Sequence, residues 1–173
     1  MKIRQPALCI RCAGIGNTCC QGREIYITPG DRRRIGAVAK GVDFAVWTRP
    51  TDAAYADQDD DPLWRRHVFH ADGSRRTLKT ASNGNCIFLG VHGCRLGPAV
   101  RPLLCRLHPF TYTAGHLDDE PDGGCPRHLL PEGRSVFAAT GTARSRALHW
   151  HRQLYEEIQV DGHEDWKAVD PVG

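Results

Sequence analysis

The chain has 173 residues, which suits one ordinary domain, or one small core with an attached helical tail, and leaves little room for two independent cores. Only 40% of residues are hydrophobic, many of them alanine and cysteine, and the mean hydropathy is −0.45, so a thin apolar core is expected. The formal net charge of +3 falls short of the concentrated positive face of a dedicated nucleic-acid binder, and no run approaches the roughly 20 apolar residues of a membrane span.

Residues 1–8 carry Lys2, Arg4 and Gln5 and no apolar stretch of the kind that directs export. A cytoplasmic chain is therefore expected, in which clustered thiols bind metal or do chemistry rather than form disulfides. Cys9, Cys12, Cys19 and Cys20 follow as a first group of four. The Cys9-x2-Cys12 pair lets both sulfurs turn toward one ion. The adjacent Cys19 and Cys20 diverge in extended backbone and suit a two-site or polynuclear arrangement.

Residues 24–27, Glu-Ile-Tyr-Ile, predict a short strand. Thr28-Pro29-Gly30-Asp31 has capping-box spacing with Pro29 at the first helical position, and predicts a helix with Ile35, Val38 and Ala39 as its apolar face and Gly41 at its end. Arg32, Arg33 and Arg34 read as its solvated side. Residues 48–62 read as an exposed connection, with the four carboxylates of 57–61 in a solvated loop. Residues 64–70 and 75–80 flank Asp72-Gly73 and predict a β-hairpin.

The second cysteine group is Cys86, Cys94, Cys105 and Cys125. Cys86-Ile87-Phe88-Leu89 reads as a strand, and Cys86 and Cys94 as the two ends of one metal-binding loop. From Gly133 onward, Val136, Ala139, Ala143, Ala147, Trp150, Leu154 and Ile158 recur at three- and four-residue steps, predicting one long amphipathic helix packed on the cysteine core and weakened or bent at Gly141. The polar stretch 161–173, with Trp166 as an anchor, is expected to fray.

Thiolates are soft, anionic ligands suited to zinc or to an iron-sulfur cluster, and their bonds can replace missing hydrophobic burial. Eight can close two four-coordinate sites, and a site using four to six is equally allowed. His108, three residues after Cys105, adds a candidate Cys-x2-His pair, though a packed, hydrogen-bonded role is expected for it; His92 has a weaker case. His149 and His151, two apart on a helix, are poor joint ligands. Arg11, Arg23, Arg95, Arg101 and Arg106 lie beside cysteines. Arg101 and Arg106 bracket Cys105 and are candidates to donate to sulfur or to an anionic substrate; Cys105 itself is a weaker candidate as a reactive thiolate. No phosphate-binding loop, His-Glu-x2-His helix or Gly-x-Ser-x-Gly elbow is present.

Cys9-x2-Cys12-x6-Cys19-Cys20, Ile25-Tyr26-Ile27-Thr28 with Asp31 and Arg34-Ile35, Cys86-Ile87-Phe88-Leu89, Gly93-Cys94, Arg101-Pro102-x2-Cys105-Arg106 and Pro109-Phe110 together resemble the YkgJ-type cysteine-cluster proteins, described as zinc- or iron-chelating CxxCxxCC domains. The resemblance runs from Cys9 to Cys125 and leaves out the C-terminal helix. It implies a metal-chelating domain with the cysteines at these positions as ligands. Some relatives carry a similar cluster within flagellin lysine methylases. This chain departs from the pattern by inserting Ala13-Gly14-Ile15-Gly16-Asn17-Thr18 between the second and third cysteines, and by His108, where the family more often has an aromatic residue.

The expectation is a small α+β, metal-organised domain of short strands and cysteine knuckles over residues 1–130, with an amphipathic helix and polar tail over 131–173. Its expected function is binding of zinc or an iron-sulfur cluster through Cys9, Cys12, Cys19, Cys20, Cys86, Cys94, Cys105 and Cys125. The rivals are an iron-sulfur-dependent enzyme, either an oxidoreductase or a protein lysine methylase-like one, and a zinc-stabilised interaction module touching nucleic acid through residues 32–34.

Overall fold

The computed structural model describes residues 8–16, 18–56 and 59–160. The expected polar tail at 161–173 with Trp166 lies outside them, as do Asp57 and Gln58 of the acidic stretch. The fold is small and α+β, with helices and, among the described residues, three separate two-stranded antiparallel sheets.

Helix α1 (Leu8–Gly14) carries the first cysteine pair. Residues 24–27 run extended with Ile25, Tyr26 and Ile27 buried, but they make one isolated bridge, Tyr26 to Thr77, in place of the expected strand. Helix α2 (Pro29–Val38) starts as its sequence dictates. Thr28 Oγ1 accepts from the Asp31 N–H at 2.9 Å, and the Asp31 carboxylate accepts from the Thr28 N–H at 3.2 Å, with Pro29 in the first turn. Its apolar face is narrower than expected, because Ile35 is fully buried while Val38 is 60% exposed.

Strand β1 (Ala45–Thr48) pairs with β2 (Arg75–Leu78), so the hairpin expected between 64–70 and 75–80 does not form. The short helix α3 (Ala53–Ala56) lies within the expected irregular connection. Residues 62–68 are helix α4 (Pro62–Val68): Asp61 accepts from the Trp64 N–H at 3.1 Å and Pro62 occupies the first turn, which outweighs the β-favouring content of the segment. Asp61 is thus a buried cap, 5% exposed, not part of a solvated loop. It also accepts from the Ala114 N–H at 3.1 Å and from the Tyr155 hydroxyl. The Asp72-Gly73 turn is present, with Gly73 at φ 79°, but it joins α4 to β2.

The expected strand over 86–89 is replaced by a turn and a tight hairpin of β3 (Leu89–Gly90) and β4 (Gly93–Cys94). Helix α5 (Leu103–Leu107) follows, then a hairpin of β5 (Phe110–Thr113) and β6 (His116–Pro121), and a 3₁₀ turn over Arg127–Leu129. The single long C-terminal helix is two. Helix α6 (Val136–Thr140) ends where Gly141 adopts φ 72°, and α7 (Arg144–Val160) starts beyond it. This break leaves Ala143 exposed, and the buried stripe on α7 is Ala147, Leu154, Tyr155 and Ile158.

Two apolar clusters result. One gathers Tyr26, Trp64, Val68, Leu103, Leu107, Phe110 and Leu117 under the α7 stripe. The other gathers Ile25, Ile27, Ile35, Phe44, Leu78, Phe88 and Leu96, with Cys86 inside it and Cys20, Cys94 and Cys105 packed against it. Helix α7 covers the first cluster, not the cysteine side.

A buried polar node joins α2, α5 and α7. Asp31 is fully buried and accepts from the Leu103 N–H at 3.1 and 3.2 Å, which caps α5 because Pro102 has no side-chain donor or acceptor for the purpose. Arg34 reaches Asp31 and Glu157, both at 2.6 Å, and Thr28 donates its hydroxyl to Glu157. Arg34 therefore faces inward, against the expectation of a solvated triplet. A Cβ at Gly30 would lie 2.2 Å from the Glu157 carboxylate, so the node passes over a bare backbone position. Among the described residues no helix is long and apolar enough to cross a membrane.

Candidate metal centre

All eight cysteines are free thiols. Cys9 and Cys12 are three apart on α1 and so share a face of that helix. The turn after α1 brings Cys19 and Cys20, held by the Cys20 N–H bond to Thr18 Oγ1 at 3.0 Å. Cys20 meets the second group directly: the Cys86 N–H donates to the Cys20 carbonyl at 2.7 Å, flanked by a Gln21 to Asn85 bridge and by Gly22 N–H to the Gly84 carbonyl at 2.9 Å. These bonds close the sequence gap between the cysteine groups.

Cys86 and Cys94 frame the β3–β4 hairpin, with Leu89 N–H on the Cys86 carbonyl at 2.8 Å and Leu89 paired across to Cys94. Helix α1 lies on this hairpin, its Ile10 side chain within 3.6 Å of the position a Cβ on Gly93 would take. Cys105 sits on α5. Cys125 is in the turn after β6, where Asp122 N–H donates to the Pro109 carbonyl at 2.8 Å, and its Sγ lies 3.2 Å from His108 Nε2.

Several of these thiols influence one another's ionisation. Burial pushes the Cys12 thiol up, and thiolate charge at Cys9 and Cys20 adds to the rise. Burial also lifts Cys9, against the pull of Arg101. It lifts Cys86 to about 11, with Cys20 and Cys94 adding to the effect. Cys105 is pushed well above the usual thiol range by burial and then by Cys20, Cys86 and Cys94. Cys125 is raised to about 11 by burial, then by Asp122, Cys9 and Cys12. Cys20 goes the other way, lowered to about 7, because the Cys19 thiol hydrogen-bonds to it and Arg101 and Thr18 assist against burial. Cys19 is raised as the donor of that pair.

The arginines beside the cysteines fasten loops. Arg101 Nε donates to the Leu96 carbonyl at 3.1 Å, Arg106 Nε to the Arg101 carbonyl at 2.6 Å, and Arg11 Nη1 to the Leu129 carbonyl at 2.7 Å. Arg95 bonds the Ile87 carbonyl. His92 is exposed on the link between β3 and β4. His149 is exposed, while His151 bonds the Thr113 carbonyl at 2.7 Å, so the two separate as their spacing predicts. Burial lowers the pKa of His108 below the ordinary imidazole value, which favours the neutral ring. Asp31 caps the Cys105 helix and Glu157 holds Arg34 beside it, roles with no sequence signal beyond the capping box that marks Asp31 as a local residue.

Among the described residues no group of three or more His, Cys, Asp or Glu side chains is already arranged to hold a metal ion. In donor chemistry the set fits zinc or an iron-sulfur cluster, since soft sulfur ligands from distant segments lie within one another's electrostatic reach. Compared with protein-family models, with curated proteins and with solved structures, the chain finds no match in any of the three. The likeness to YkgJ-type proteins rests on the motifs themselves.

Proposed function

We propose that this chain is a metal-binding protein of the YkgJ type, which takes zinc or an iron-sulfur cluster through its clustered cysteine thiolates. One observation carries the reading: eight free thiols from both halves of the sequence include Cys20 and Cys86 joined through backbone at 2.7 Å and Cys125 beside His108, and thiolate charge at Cys9, Cys20, Cys86 or Cys94 disfavours ionisation of neighbouring thiols. A cation placed among them converts that mutual repulsion into attraction. The donors would be drawn from among Cys9, Cys12, Cys19, Cys20, Cys86, Cys94, Cys105 and Cys125. A bound zinc would supply a cross-link or a Lewis acid, and a cluster an electron-transfer centre.

The residues around the thiols orient them. Asp31 fixes the first turn of α5 and so the placement of Cys105, and the arginine-to-carbonyl bonds fix the loops bearing Cys86 and Cys94. A reducing compartment, the cytoplasm, would keep these thiols free to ligate. The test is anaerobic purification of the full chain followed by elemental analysis for zinc, iron and sulfide. Stoichiometric zinc supports a structural or Lewis-acid role. Iron with matching sulfide supports a cluster and directs attention to redox and methyl-transfer assays. Metal-free, folded protein that takes up neither metal refutes the proposal.

A further inference from the structure

We propose that the thiols divide between two centres, and that His108 completes one of them: Cys9, Cys12, His108 and Cys125 take a zinc ion, Cys20, Cys86, Cys94 and Cys105 form the second set, and Cys19 belongs to neither. This rests on the metal-binding reading above and deepens it by assigning ligands. The first set is drawn together by contacts independent of any ion. His108 Nε2 stands 3.2 Å from Cys125 Sγ. Sulfur and nitrogen bound to one zinc are about 3.5 Å apart, given bond lengths of roughly 2.3 and 2.1 Å.

The pair is held from outside. Asp122 N–H ties the Cys125 turn to the Pro109 carbonyl, one residue from His108, at 2.8 Å. Arg11, between Cys9 and Cys12, bonds the Leu129 carbonyl in the 3₁₀ turn directly after Cys125. Helix α1 is thereby pinned to the Cys125 segment, and thiolate charge at both Cys9 and Cys12 is felt at Cys125. The second set is drawn together by other contacts, although thiolate charge at Cys20 and Cys94 is also felt at Cys9, and that at Cys20 at Cys12. Its members all lie in or against the Ile25–Ile35–Phe44 cluster, and Cys20 and Cys86 are joined through backbone at 2.7 Å.

Eight cysteines and one histidine supply nine donors, while two four-coordinate ions need eight. Cys19 is the donor left over. It is exposed, and it meets the second set as a hydrogen-bond donor to Cys20, with thiolate charge at Cys105 also felt at its sulfur.

The test is metal content per chain, with cobalt(II) substitution as the optical readout, on the full chain and on His108→Ala, His108→Cys, Cys19→Ala and Cys105→Ala. The expected results are loss of one zinc equivalent in His108→Ala, none lost in Cys19→Ala, and loss of the other centre, whether zinc or iron with sulfide, in Cys105→Ala. His108→Cys should restore the lost equivalent and intensify the thiolate-to-cobalt charge-transfer absorption. Metal in the parent chain with unchanged content and an unchanged cobalt spectrum in His108→Ala overturns the assignment while leaving the metal-binding proposal standing, as does metal lost in Cys19→Ala. A parent chain that takes up no metal overturns both. Should His108→Ala fail to fold, the cobalt spectrum of His108→Cys decides: a change supports histidine ligation, and no change refutes it.

Discussion

The two sides of the molecule are held together differently. Under α7, large side chains close a conventional core, with Leu103, Leu107, Leu154 and Ile158 fully buried and the charged groups at its edge satisfied by the Asp31–Arg34–Glu157 node and by Asp61. On the thiol side the elements are a helix of seven residues, two strands of two residues, and turns, with cysteines at positions an apolar core would fill with leucine or isoleucine. The contrast teaches that the α7 side closes on large apolar side chains under one long helix, whereas on the thiol side short elements pack free cysteines against a second, smaller apolar cluster.

The largest expected effect comes from breaking the node that joins the two sides. Asp31→Ala removes the acceptor of Thr28 N–H and Leu103 N–H and leaves Arg34 with Glu157 alone, so about 3–5 kcal/mol of stability should be lost, read by denaturant titration. A neutral result would mean that α5 is held by packing alone. Leu154→Ala, in the α7 core, should cost about 2–5 kcal/mol, and by the same amount with or without chelator. A chelator-dependent loss would show that the two sides are not separable.

Chelation should act in the opposite place. On metal removal, hydrogen exchange should accelerate in α1, in the β3–β4 hairpin and around Cys125, while the amides of α7 keep their protection. Uniform acceleration would argue that the metal supports the whole fold. The smallest effect is on acid stability. Burial lifts the Glu157 carboxyl, but bonds from Arg34, Thr28 and Gln153 outweigh it and hold the group below its usual value of 4.5. Its contribution is therefore present above about pH 4.5 and lost as pH falls through the lower folded value. Asp31, raised by burial against its partners, works in the other direction. Glu157→Gln should reduce stability at neutral pH and flatten the decline in Tm between about pH 5 and 3; an unchanged slope would place that decline elsewhere.

Much of the local structure was legible. Thr28 and Asp31 announced the start of α2, and Gly141 the break before α7. The strand expected at 64–70 failed for an instructive reason. Asp61-Pro62 is a helix start as clear as Thr28-Pro29, but it closes an acidic run whose overall character is that of a loop. The hairpin of β5 and β6 escaped notice because His116–Pro121 is mostly charged and buries only Leu117. Cysteine spacing marked the candidate donors but not that Cys125 lies beside His108, since the β5–β6 hairpin between them was not disclosed by the sequence.

What the sequence determined by itself is what short-range chemistry settles: which residues cap helices, where glycine takes positive φ, which side chains are soft donors, and that the class is α+β. The tertiary structure alone decided that β2 pairs with β1, that Asp61 and Arg34 turn inward, and that Cys20 meets Cys86 through backbone. The reason is physical. A cap or a turn is satisfied by atoms a few residues away, whereas strand partners and the burial of a charge depend on what distant chain is packed against them.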